Sequence, residues 1–240
     1  MSHKAIAIDR PESMRGLFFS QEGEVNELFY RPEDVETPKA VLQMVGEYIN
    51  LCKGHVGVCV DIGASVGSAT VLLSLHGAKV VWAFEPHPVL FSYLIKNLGK
   101  NPSNTPVHPF QLCVWDQTAL MIPFNQYSVP EQSAPIFHTS VLPQTIVMTI
   151  GFNDLLRIVG PTIDFLKIDC EGSEHIFWKN VSEEQITKVK YLHFEYHDVR
   201  DKQYFIDDIE WMDFPGQILP ALGFEPVGCN GFLFGNKKLI

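Results

Sequence analysis

Three groups of polar residues, each at the end of an apolar run, are the parts of this chain that could do chemistry. The first is Asp61, Gly63, Ala64, Ser65, Gly67 and Ser68, at and just beyond the end of Val58–Ile62. The second is Glu85-Pro86, after Val80–Phe84, and the third is Asp169, Glu171, Glu174 and His175, after Ile163–Ile168. A glycine turn between an apolar strand and a helix lets free backbone N–H groups meet an electronegative ligand. A carboxylate ending the next strand can accept two hydrogen bonds from a ribose diol, so Glu85 is the expected sugar ligand. A further run, Tyr191–His197, alternates so that His193, Glu195 and His197 share one face. Histidine exchanges a proton near neutral pH, and this face is therefore the expected source of a base.

The glycine spacing bears on the ligand. A dinucleotide pattern G-x-G-x-x-G would place glycines at 63, 65 and 68, and only Gly63 meets it, because Ser65 and Ser68 hold the other two places. The second glycine of that pattern makes room for a pyrophosphate, so its absence argues against NAD or FAD and for a nucleoside cofactor without phosphates. S-adenosylmethionine meets that description, with S-adenosylhomocysteine as the product. Asp61 would be a costly buried charge, and a ligand carrying an ammonium and a sulfonium gives it a reason to be there. Asp116 follows the run Val107–Val114, and its position alone puts it near an adenine ring. A plain strand-turn-helix without a ligand is the competing reading.

Composition bounds the rest. The 240 residues, 46% of them apolar, can bury one α/β core, and a single domain over residues 1–240 is expected. The net charge is −10, and the 18 Lys and Arg are scattered, so nucleic acid is not an expected partner. No apolar run approaches the roughly 18 residues that span a bilayer, and the first residues lack a secretory core, so no membrane partner and a cytoplasmic location are expected. Five cysteines without C-x-x-C spacing indicate neither a disulfide framework nor a zinc site. Cys59 and Cys170 read as core thiols within apolar strands. Oligomeric state is open.

The elements that must position these groups follow from periodicity. Residues 1–53 read as an N-terminal helical or lid segment, poorly periodic up to 33 and helical over about 38–52, and residues 54–240 read as the core. Strands at 58–62 and 80–84 alternate with helices at 67–76 and 87–98, the second with Pro88 in its first turn. A third strand spans 107–114. Pro123, Pro130, Pro135 and Pro143 then break an insertion at about 117–150, expected to be irregular with a hairpin and placed to set substrate choice. A short helix from Asn153, strands at 163–168 and 191–197, a helix around 202–212 and a terminal hairpin between Gly223 and Gly235 complete the chain. Such alternation predicts an α/β fold with a mostly parallel sheet and helices on both faces.

Taken together, Val60–Gly67, Phe84–Pro88, Asp164–Glu174 and Phe194–His197 resemble the FkbM family of S-adenosylmethionine-dependent methyltransferases over about residues 38–235. The Lys-Ile-Asp-x-Glu-Gly-x-Glu element is more specific to that family than the glycine turn. The resemblance implies a Rossmann-like class I methyltransferase fold, a seven-stranded sheet with an antiparallel C-terminal hairpin, and O-methylation of a hydroxyl on a small metabolite, sugar or polyketide-type acceptor. The reaction is an in-line displacement, in which positioning contributes more than a base does. His197 oriented by Glu195 is the expected base, with His193 as the other choice, and Asp169 contacts cofactor or substrate. Glu171 and His193 face the acceptor. Three alternatives stay open. A divalent metal, not expected, could sit on Asp169 and Glu195 with Glu171 and His197. Asp169 and Glu171 could instead cap the helix beginning near Ser173. The chain could also be a non-catalytic binding module or an NAD-dependent oxidoreductase, the latter opposed by the missing glycines and the lack of a Tyr-x-x-x-Lys pair.

Overall fold

A computed structural model describes residues 6–9, 15–21, 24–30, 36–53, 55–125, 144–178, 181–195, 219–228 and 232–240. His197, the helix expected at 202–212 and the centre of the insertion lie outside the described residues.

The chain begins with β1 (Ile6–Asp9), β2 (Arg15–Gln21) and β3 (Glu24–Tyr30), an antiparallel sheet in that order. The expectation of a helical segment is therefore corrected before residue 36. Phe18, Phe19, Val25, Phe29 and Tyr30 are strand formers, and the two longer strands pair as a hairpin. Helix α1 (Glu36–Leu51) follows close to where periodicity placed it.

The main sheet is built from β4 (Val58–Ile62), β5 (Val80–Phe84), β6 (Val107–Phe110), β10 (Ile163–Ile168), β11 (Val189–Phe194), β12 (Phe224–Pro226) and β13 (Leu233–Asn236), in the order β12-β13-β11-β10-β4-β5-β6. The five strands from β11 to β6 are parallel, while β13 runs antiparallel to β11 and carries β12 antiparallel beside it. Within this sheet the chain enters at β4, builds outward through β5 and β6, then returns to β10 on the other side of β4. That reversal opens a crevice at the carboxyl ends of β4 and β10, where ligands bind in open α/β sheets.

Alternation along the strands divides the core between two faces. Cys59, Val81, Phe165, Tyr191 and Leu233 pack under α1 and α2 (Ser68–Leu75), with Tyr48 stacked on Phe165 at 4.2 Å. Val60, Ile62, Leu166, Ile168, Leu192 and Phe194 pack the other way, against α4 (Phe152–Val159), Trp178 of α5 (Glu174–Trp178), Ile186 of α6 (Glu183–Ile186) and Leu219 of α7 (Leu219–Ala221). Burying each such side chain contributes roughly 1.5–3 kcal/mol. Helix α3 (Pro88–Lys100) lies on the first face, with Leu90 in its core.

The strand expected at 107–114 is two elements. Residues after β6 leave the main sheet, and β7 (Cys113–Trp115) joins β8 (Met121–Asn125) and β9 (Gln144–Gly151) in a third sheet of order β7-β9-β8. The insertion is thus a hairpin whose second strand also pairs in parallel with β7. Thr149 fastens this sheet, because its hydroxyl donates to the Gln117 carbonyl at 2.7 Å and accepts from the Leu120 N–H at 3.0 Å. No helix among the described residues is long and apolar enough to cross a membrane.

Candidate functional site

The turn after β4 is held from four sides. The N–H groups of Gly63 and Ala64 both donate to the Phe84 carbonyl at 3.0 Å, which ties the turn to the end of β5. Ser65 adopts a left-handed conformation, with φ 52°, and its N–H donates to Glu85 Oε2 at 2.8 Å. Buried Asn97 of α3 donates its amide to the Val66 carbonyl at 2.7 Å. Gly63, with φ 73°, stands so close to the next strand end that a Cβ there would lie 1.6 Å from the Asp169 carbonyl oxygen. A Cβ on Gly67, with φ 89°, would lie 2.4 Å from the Leu94 side chain. At both positions the missing side chain is required by neighbouring protein atoms, and Gly63 also lines the cleft described below.

Glu85 is 5% exposed, and each oxygen accepts one backbone N–H, from Ser65 and from His87, the latter at 2.7 Å. Burial pushes its carboxyl up to about 7, against the opposing pull of those two N–H groups. A carboxylate oxygen has two acceptor sites, so both oxygens keep capacity for a diol. The sequence Glu85-Pro-His-Pro88 has a local logic. His87 Nδ1 accepts from the N–H of Val89 and Leu90 at 3.1 and 3.4 Å, capping α3, and Pro88 sits where no N–H is needed.

The third group is organised by a residue that sequence reasoning left out. Lys167, 4% exposed near the end of β10, donates to the Gly63 carbonyl at 2.9 Å. It also pairs with Asp169 at 3.2 Å and Asp61 at 3.4 Å. Burial works against its charge, but Asp169 and Asp61 outweigh it and hold the ammonium above the usual lysine range. The signal was present, because a lysine inside Ile163-Asp-Phe-Leu-Lys-Ile168 is an ion in a buried strand and requires a partner. Asp61 is fully buried, and its Oδ2 accepts from the Thr70 hydroxyl at 2.6 Å. The expectation that Asp61 needs a ligand to neutralise it is corrected, since Lys167 does so.

Beyond β10 the chain turns through Glu171 and Gly172, both with positive φ, 54° and 101°. Buried Glu174 holds this loop from beneath, accepting from the Gly172 N–H at 2.9 Å and the Cys170 thiol at 3.3 Å. Cys170 therefore lies past the strand rather than within it, its thiol pushed well up by burial and by Glu174. His193, 9% exposed at the register position beside Lys167, is lowered to about 4 by burial and the Lys167 charge, so its ring is neutral at neutral pH. Glu195 is exposed just after β11.

These elements line a shared cleft of about 240 Å³. Gly63, Ser65, Glu85 and Pro86 line one side, and Asp169, Glu171, His193 and Glu195 another, with Lys167, Cys170 and Ser173 between them. Leu112, Cys113, Val114 and Phe124 form an apolar wall, and Val41 and Met44 of α1 close a further side. Asp61, Ala64, Gly67, Ser68 and Asp116 do not line it. For Asp116 the reason is the departure of β7 from the main sheet, which brings Leu112–Val114 to the cleft instead. Among the described residues no group of three His, Cys, Asp or Glu side chains could hold a metal ion.

A parallel sheet with a reversed strand order, a glycine turn and a strand-end carboxylate on one crevice, and an antiparallel terminal hairpin together define a Rossmann-like class I methyltransferase fold. The sequence matches the methyltransferase FkbM domain over residues 61–225, and the chain belongs to that family. No curated protein matches it. Among solved structures, the FkbM methyltransferase of Methylobacillus flagellatus is similar at 17% identity and a TM-score of 0.45, covering 76% of this chain and 44% of that one. The chain thus spans less than half the length of that relative. TYW2 of M. jannaschii, solved in complex with AdoMet, is similar at 16% identity and a TM-score of 0.41, covering 95% of this chain and 84% of that one. A precorrin 8w decarboxylase from Methanobacterium thermoautotrophicum is similar at 15% identity and a TM-score of 0.43, covering 77% and 73%.

Proposed function

We propose that the chain is an S-adenosylmethionine-dependent O-methyltransferase acting on a hydroxyl of a small metabolite, sugar or polyketide-type acceptor. The observation that carries this is a cleft that joins the buried Glu85 carboxylate, an apolar slot and polar groups at three strand ends. Its residues fit the cofactor. Glu85 retains acceptor capacity for a ribose diol, Leu112–Val114 offer an apolar slot suited to a purine, and the carboxylate of Asp169 lines the cleft. The turn holds no built phosphate site, since its glycines face protein atoms. When bound, the cofactor supplies a methyl group on a sulfonium, with a neutral thioether as leaving group.

The protein's part is positioning and one proton. Glu85 with Pro86 orients the nucleoside, Gly63 and Ser65 of the turn shape the floor, and Glu171 and His193 hold the acceptor. His197, oriented by Glu195, receives the proton of the attacking hydroxyl. A base of this kind is worth roughly 10²–10⁴-fold in rate. His197→Ala therefore lowers kcat by about that factor and leaves cofactor affinity unchanged, and retention of full turnover removes that histidine from the role. Calorimetric titration with S-adenosylmethionine, S-adenosylhomocysteine and NAD tests the whole reading. Both S-adenosyl compounds bind and NAD does not, whereas binding of NAD alone overturns it.

A further inference from the structure

We propose that Lys167 is a positioning residue that holds the Asp169 carboxylate against the glycine turn as the acceptor for the ammonium at the amino-acid end of the cofactor. The inference rests on the S-adenosylmethionine reading above and adds to it a division of labour between two acids. An ammonium has three protons, and Lys167 has three oxygen neighbours, on Gly63, Asp169 and Asp61, between 2.9 and 3.4 Å away. It donates to Gly63 and Asp169 and is ion-paired with Asp61, so the protein's own oxygens surround it and it acts by fixing them.

The two acids it holds differ in access. Asp61 is fully buried and outside the cleft, with Oδ2 taken by Thr70 and Oδ1 making no hydrogen bond. It acts through Lys167, as the second negative charge that keeps a buried lysine ionised. Asp169 lines the cleft with 26% of its side chain exposed, and its backbone carbonyl packs against Gly63. It is the carboxylate of the pair that is both anchored and reachable. The two carboxylates outnumber the one ammonium, so this end of the cleft keeps a negative charge suited to a cationic group. The far end of the cleft is held separately, by Glu85 and Leu112–Val114. Lys167 reaches Glu85 only as a longer-range charge, which helps to keep that carboxyl ionised.

The two ends can be tested apart with three probes, S-adenosylmethionine, S-adenosylhomocysteine and 5′-methylthioadenosine, which lacks the amino-acid end. Titrations on the full chain at about pH 8.5 lie above the range in which Glu85 takes up a proton in the unaltered protein. Lys167→Gln and Asp169→Asn each weaken the first two probes by at least about tenfold and leave the third within about twofold. A purely structural role for Lys167 weakens all three together, and that result overturns the proposal, as does unchanged binding in Asp169→Asn. Should Lys167→Gln fail to fold, the double variant Lys167→Met/Asp61→Asn removes both halves of the buried pair and carries the same expectation. Failure of the parent reading is a different observation, the unaltered chain binding neither S-adenosyl compound.

Discussion

Glu85 holds the Ser65 and His87 N–H groups while staying almost wholly buried, and its raised carboxyl makes two measurable quantities depend on pH. A ribose diol donates to a carboxylate, so cofactor affinity weakens by about tenfold per unit as pH falls below about 7, and Glu85→Gln flattens that dependence in a calorimetric series. Stability runs the other way. A folded carboxyl above the unfolded value of about 4.3 contributes stability that is fully present below that value and lost as pH rises through about 7. The ligand-free protein should therefore lose melting temperature from this group between those limits. Gly63 carries a second prediction at this scale. Ala at 63 would place a Cβ 1.6 Å from the Asp169 carbonyl at φ 73°, so Gly63→Ala costs roughly 3 kcal/mol or more and lowers Tm by at least about 6 °C in a thermal melt. That glycine was legible as a sharp turn, because the residue type reports backbone conformation. Its neighbour across the turn was not legible, because contact between β4 and the loop after β10 joins residues more than 100 positions apart.

Elements with a strong local pattern were readable, and those defined by pairing were not. The apolar runs Val58–Ile62, Val80–Phe84 and Ile163–Ile168 declared themselves as buried parallel strands, and each is one. The terminal hairpin showed itself through glycines flanking short apolar runs. By contrast, Cys113–Trp115 is indistinguishable by composition from the strand before it, and only its pairing with Gln144–Gly151 takes it to another sheet. The N-terminal sheet was missed for the same reason, since β2 and β3 lack strict alternation and are fixed by each other. Side-chain ties between elements escaped as well. Asn97 reads as an ordinary helical polar residue, yet it is buried and fastens α3 to the turn at Val66. Asn97→Ala leaves a buried carbonyl unsatisfied and costs about 1–3 kcal/mol, and it raises KM for the cofactor more than it lowers kcat, as steady-state kinetics would show.

For the whole molecule, a net charge of −10, with its 18 Lys and Arg scattered along the sequence, is a statement about partners. Binding to a nucleic-acid backbone depends on neutralising phosphates, so the protein at micromolar concentration should not retard a structured RNA in a native gel at about 150 mM salt. Retardation under those conditions would reopen the question of the acceptor. The manner in which the cofactor turn is held has a thermodynamic consequence. Backbone groups of Gly63, Ala64, Ser65 and Val66 all have partners within the protein, and Glu85 is already fixed between Ser65 and His87. Association at this end of the cleft therefore requires no local folding, and its entropy penalty is confined to the ligand and the displaced solvent. Calorimetry over a range of temperatures should return a modest negative heat-capacity change, scaled to the apolar area of one nucleoside, rather than the large value of a segment that orders around its guest.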